Sequence, residues 1–206
     1  MNKSIRTAFA AAVLLSAGMA QAQSAYEFTT PGHSFSNGSW DFGWTFTANQ
    51  GLVVSGLGYY ADPTNGFVNQ NEVALYDSLG TLLASATVDN TYALTGHFRY
   101  VTIAPLTLVA GQTYQIDGVS HSDNYTWNDA GFSTYSGITY VSNSWVSGSS
   151  PVFQTEVQTD TSAGYHGPNL YFGEPVFTNA VPEPQTYALL LAGLGAIGWA
   201  ARRRRQ

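Results

Sequence analysis

From Trp40 to Thr47 every second residue is aromatic: Trp40, Phe42, Trp44 and Phe46 alternate with Asp41, Gly43, Thr45 and Thr47. A period of two belongs to an extended strand, whose successive side chains point to opposite faces. One face of this strand must be buried and the other polar. A second strand follows, with Val53, Ser55, Leu57 and Tyr59 opposite Leu52, Val54, Gly56 and Gly58. Further strands are expected at 72–76, 82–88, 97–103, 106–109 and 113–119, with weaker signals at 138–141, 152–157 and 169–177. Turn-forming clusters separate them, among them Asp62-Pro63-Thr64-Asn65-Gly66 and Gly148-Ser149-Ser150-Pro151. Asp77-Ser78-Leu79-Gly80 suits a type I turn closing a hairpin between 74–76 and 82–84. No stretch of residues 23–180 repeats apolar positions at helical spacing among good helix formers. The expected fold is therefore all-β, a single jelly-roll-like β-sandwich over residues 23–180.

The two ends read differently. Lys3 and Arg6, an apolar run from Ala8 to Leu15, and Ala20-Gln21-Ala22 form the three parts of a secretory signal peptide over residues 1–22. Cleavage is expected after Ala22, with export through the secretion translocon. At the other end, Val181-Pro182-Glu183-Pro184 precedes an uncharged segment from Thr186 to Ala201, then Arg202, Arg203, Arg204 and Arg205. As a helix the segment would span about 24 Å, slightly short of a hydrocarbon core of about 30 Å. The arginines would stop transfer on the cytoplasmic side of the inner membrane. Gly193 to Gly198 matches a dinucleotide-binding glycine pattern, but no βαβ unit can follow it there.

Residues 181–206 resemble the PEP-CTERM sorting signal of Gram-negative bacteria: Pro182-Glu183-Pro184, then an apolar helix, then an arginine cluster. The resemblance implies that a membrane protease-transpeptidase, the exosortase, recognises the motif and removes the tail. Two prolines would keep the cleavage segment extended and reachable. A permanent single-pass anchor is the alternative for the same segment. The stretch from Phe42 to Val119 also resembles β-sandwich domains of unknown function found upstream of such tails. The pieces that carry this likeness include 54–60, Glu72-Val73-Ala74-Leu75-Tyr76-Asp77 and 108–114.

Charge narrows the function classes. Outside the two ends, Arg99 is the only base against twelve acidic residues. Nucleic-acid binding needs lysines and arginines to displace counterions from phosphates, so it is excluded as a role for this body. Direct contact with anionic polymers or headgroups would need bridging divalent cations. The chain has no cysteine, which removes disulfides, thiolate nucleophiles and zinc–thiolate sites.

Few residues suggest chemistry. The nucleophile elbow G-x-S-x-G is absent, and Ser120-His121 reads as loop. The four histidines show no metal-ligand spacing. Asp123, Asn124, Asn128 and Asp129 form an acidic, amide-rich stretch whose oxygens would suit calcium, the one cofactor the sequence suggests. Asp and Asn are equally ordinary loop residues. Trp127, Tyr135, Tyr140 and Trp145 lie in a Ser/Thr/Asn/Gly-rich region and could present rings on which sugars stack. Capping of the core edges is the competing reading for the two tryptophans. The expectation is a non-enzymatic, secreted protein of the cell surface or exopolysaccharide matrix, structural or glycan-binding. Extracellular polysaccharide and the exosortase are its expected partners. The alternative is a secreted polysaccharide hydrolase, which needs two carboxyl groups about 5–9.5 Å apart.

Overall fold

The computed structural model describes residues 23–63, 66–156 and 164–173. The signal peptide expected over 1–22 and the sorting tail expected over 181–206 lie outside the described residues. Fifteen strands are described, all pairing antiparallel. They are β1 (Gln23–Ser24), β2 (Tyr26–Glu27), β3 (His33–Phe35), β4 (Trp40–Ala48) and β5 (Leu52–Tyr60). Next come β6 (Asn71–Asp77), β7 (Leu82–Val88), β8 (Leu94–Thr95), β9 (Phe98–Leu108) and β10 (Thr113–Val119). The last are β11 (Tyr125–Trp127), β12 (Ser133–Thr134), β13 (Ile138–Ser147), β14 (Tyr165–His166) and β15 (Pro168–Phe172). No described helix is long and apolar enough to cross a membrane.

Two five-stranded sheets pack face to face, ordered β1-β15-β5-β9-β8 and β13-β4-β10-β6-β7. Small sheets β14-β11-β3 and β12-β2 complete the body. The alternation in β4 does what its period requires. Trp44, Phe46 and Ala48 enter the core while Thr45 and Thr47 stay on the outer face. Opposite them stand Leu57, Tyr59, Phe98, Tyr100 and Leu108. Tyr26 meets Trp44 edge-on at 5.3 Å, and Tyr140 stacks on Trp44 at 5.5 Å. A core this rich in Tyr and Trp must find acceptors for their polar atoms. The Pro168 carbonyl accepts from both Trp44 Nε1, at 2.9 Å, and Tyr26 OH, at 3.0 Å.

The hairpin of β6 and β7 forms as its turn predicts. The Gly80 amide bonds to the Asp77 carbonyl, and the Asp77 carboxylate accepts from Leu79 and Thr81. Gly80 has φ +82°, a conformation open to a residue without Cβ. Two expected strands, 97–103 and 106–109, are one strand, β9. Its register against β5 shifts between Val54 and Gly56, opposite the stretch containing Pro105. Proline has no amide to give a ladder and sits at such an irregularity without cost. The same shift changes which residues of β5 face inward, from Leu52 and Val54 to Leu57 and Tyr59.

One expected strand is absent as such. Residues 152–156 form a strap over the outer face of the β13-β4-β10-β6-β7 sheet, held by side chains rather than a ladder. Gln115 and Gln154 exchange two hydrogen bonds, from Gln154 N to Gln115 Oε1 at 2.7 Å and from Gln115 Nε2 to Gln154 O at 3.0 Å. The Val152 amide donates to Asp41 Oδ2 at 2.8 Å, and Tyr76 OH donates to the Pro151 carbonyl at 3.1 Å. Of the two apolar residues behind that signal, Phe153 packs edge-on to Tyr76 at 5.9 Å while Val152 stays exposed.

Candidate functional site

The small sheet β14-β11-β3 separates its residues by face. In register, Phe35 pairs with Tyr125, His33 with Trp127, and Trp127 with Tyr165. These five share one face. The alternate residues Ser34, Thr126 and His166 share the other. That second face is anchored: Thr126 and His166 are buried and both bond to Asp129, His166 Nδ1 at 2.6 Å from Oδ2. Phe132 stacks on the His166 ring at 4.9 Å and fixes its plane. A rigid underside thus holds an aromatic upper face.

The upper face continues onto the main sheet. Trp145 of β13 lies opposite Phe42 of β4, and Ser147 opposite Trp40. Tyr165 sits at the junction, with Trp145 edge-on at 6.2 Å, Phe42 at 5.7 Å and Trp127 at 6.4 Å. Trp40 meets Trp145 edge-on at 5.5 Å. Asn37, Trp40, Phe42, Tyr125, Trp145 and Tyr165 enclose a hollow of about 130 Å³. Asn37 Oδ1 accepts from Tyr125 OH at 2.6 Å and from Trp40 Nε1 at 3.2 Å, locking two rings from one atom. Burial raises the Tyr125 hydroxyl above its usual pKa, with Tyr165 adding to the shift and Asn37 opposing it. Trp145 is 44% exposed, which leaves a ring edge and face for a ligand.

Two of the four aromatics expected to face sugars, Trp127 and Trp145, belong to this patch. Tyr140 does not: its ring lies against Trp44 at the core. Tyr135 lies elsewhere, packed on Phe172 at 5.4 Å. Sequence reading missed Phe35, Asn37, Trp40 and Tyr165. Trp40 was visible as one of the alternating aromatics, but only the register with β13 puts it beside Trp145.

The Asp/Asn-rich stretch does not converge on a point. Asp123 accepts from the amides of Val68 and Asn69, at 2.8 and 2.9 Å, and from the side chains of Asn69 and Asn71. Asp129 accepts from the Gly32 amide at 2.7 Å as well as Thr126 and His166. Asn124 turns to Asp62, Nδ2 to Oδ2 at 3.0 Å, and Asn128 adopts φ +55°. Asp123 thus takes four donor contacts and Asp129 three, so N–H and O–H groups already engage both carboxylates. Ser120 and His121 point apart: Ser120 Oγ ties Gly38 and Trp40 of the chain, while His121 pairs with Glu72. Among the described residues, no three His, Asp or Glu side chains come together as a metal site.

Residues 28–172 match a family described as a domain of unknown function (DUF4082). Residues 180–205 match the PEP-CTERM protein-sorting motif. No curated protein is similar enough to the chain to match it.

Proposed function

The chain belongs to the DUF4082 family and carries a PEP-CTERM sorting motif that makes it a secreted, exosortase-targeted protein, and from that premise we propose a non-enzymatic glycan-binding role in the extracellular matrix. After removal of the tail, the sandwich would present its aromatic patch to exopolysaccharide at the cell surface. The supporting observation is the hollow of Trp40, Phe42, Tyr125, Trp145 and Tyr165 with Asn37. Ring faces stack on the C–H faces of sugars, and an amide supplies directional hydrogen bonds. Among the described residues, no carboxyl group lines the hollow. Glycoside hydrolysis requires two flanking the scissile bond, which favours binding over cleavage here. A body with one base and twelve acids repels polyanions, so neutral or amino-bearing glycans are the expected ligands.

Glycan-array binding by the purified protein, compared with Trp145→Ala and Tyr165→Ala, tests the reading. Binding lost in both variants is the expected result. A hydrolase substrate panel run in parallel would overturn it by finding turnover that one Glu or Asp substitution abolishes. Sorting is tested separately by replacing Pro182, Glu183 and Pro184 with alanine. The tail should then stay attached, read as an unprocessed mass in the membrane fraction.

A further inference from the structure

Outside the aromatic patch, a second group of residues lies beneath the strap on the outer face of the β13-β4-β10-β6-β7 sheet. Register aligns Ser144 of β13, Gly43 of β4 and Asp117 of β10 in one row across three strands. Asp41 stands one step along on the same face, paired with Val119 and Val146. A Cβ at Gly43 would fall 2.1 Å from Asp117 Oδ1 and 2.8 Å from Ser144 Oγ. Both oxygens therefore lean over the one position in the row that has no side chain.

Each carboxylate gives one oxygen to the strap. Asp41 Oδ2 accepts the Val152 amide, and Asp117 Oδ1 accepts Gln154 Nε2 at 3.1 Å. Gln154 Nε2 also donates to the Asp41 carbonyl at 3.0 Å, which ties the two aspartates to one amide group. The remaining oxygens, Asp41 Oδ1 and Asp117 Oδ2, have no hydrogen-bond partner, and neither does Ser144 Oγ. All three residues are buried, at 0%, 0% and 1% exposure. Unpaired carboxylates at such depth cost several kcal/mol. The body offers no side-chain cation to meet them, since Arg99 lies in β9 of the opposite sheet and donates to the Tyr92 carbonyl.

We propose that Asp41, Asp117 and Ser144 form a divalent-cation site closed by the strap at 152–156. The donor set is all oxygen, the preference of Ca²⁺ and Mg²⁺ rather than of zinc. Two carboxylates balance the charge of one divalent ion. Hollows of about 280 Å³ flank the strap, one beside Val146 and Gln154 and one beside Thr45 and Gln115. The carboxyl energetics agree. Burial raises Asp41 to about 7, and burial together with the Asp41 charge pushes Asp117 well up. A bound cation removes that penalty. The site also gives the strap a reason to stay closed, because the same carboxylates hold both ion and strap. This inference is independent of the glycan reading, whose residues it does not use.

The test is calorimetric titration of the purified, chelator-treated protein at pH 8 with Ca²⁺ and separately with Mg²⁺, together with thermal melts. One binding event per chain and a rise in Tm of several degrees are expected. Asp41→Asn and Asp117→Asn should each abolish the event, and Ser144→Ala should weaken it about tenfold. Asp77→Asn, a half-buried acid at the end of β6, should leave it unchanged. If an aspartate variant does not fold, the Ser144→Ala affinity alone decides. Absence of any heat or Tm change with both ions sinks the proposal. So does unchanged binding in the Asp41, Asp117 and Ser144 variants, which would put the ion elsewhere on this acidic surface. Alkaline destabilisation that neither ion relieves but Asp117→Asn does would mean that the pair holds a proton instead.

Discussion

Asp123 and Asp117 lie close in sequence and are both buried, yet their surroundings are opposite. Asp123 sits in a loop that folds around it, and two backbone amides and two asparagine side chains point at its oxygens. Asp117 sits in the middle of a strand, where the neighbouring amides already serve the ladder. It keeps one oxygen without a donor. A loop can shape itself to a carboxylate, but a strand has no amides to spare for one. The loop acid Asp123 is therefore self-sufficient, and the strand acid Asp117 keeps an oxygen unmet.

That contrast is broken most easily at Asp123. Asp123→Ala leaves several buried donors unpaired and should cost about 3 kcal/mol, a fall in Tm of roughly 6–12 °C. A change within 2 °C on thermal melting would end the comparison. The next effect is on pH. Asp41 has a folded value of about 7 against 3.8 when free, so its contribution is intact below about pH 4 and is lost as pH rises through 7. Asp117 shifts in the same direction. Metal-free protein should thus be less stable at pH 8 than at pH 5 by roughly 2 kcal/mol, read from urea midpoints. Asp117→Asn should recover part of that fall, the reverse sign to the Asp123 substitution. Smallest in stability is Trp145→Ala. With 44% of its surface exposed, Trp145 should contribute under about 1 kcal/mol to folding, while its loss should remove the proposed glycan binding on the array.

Much of the sandwich was legible because period-2 alternation and turn chemistry are local signals. β4, β6, β7 and β10 were expected within a residue or two of where they lie. Short strands such as β3, β11 and β14 were not, since two or three residues carry no period. They exist only because they pair with each other across long stretches of chain. The strap was misread as a strand for a related reason: Val152 and Phe153 carry apolar signal, and sequence cannot tell ladder bonds from side-chain bonds. Among site residues, Trp127 and Trp145 were found through composition. Tyr165 was missed because it lies near neither in sequence.

The sequence by itself determined the class of the body and its address. Alternating aromatics and frequent turns require sheets, and the charge-segregated ends mark export and sorting, because each of these signals is written in consecutive residues. Tertiary structure alone decided which polar groups matter. Asp41 and Asp117 look like ordinary solvent-facing residues of amphipathic strands until the strap covers them. Asp123 and Asp129 read as part of one acidic stretch until the fold gives each its own set of donors. Whether a carboxylate is satisfied depends on groups from distant parts of the chain, and no local pattern records their arrival.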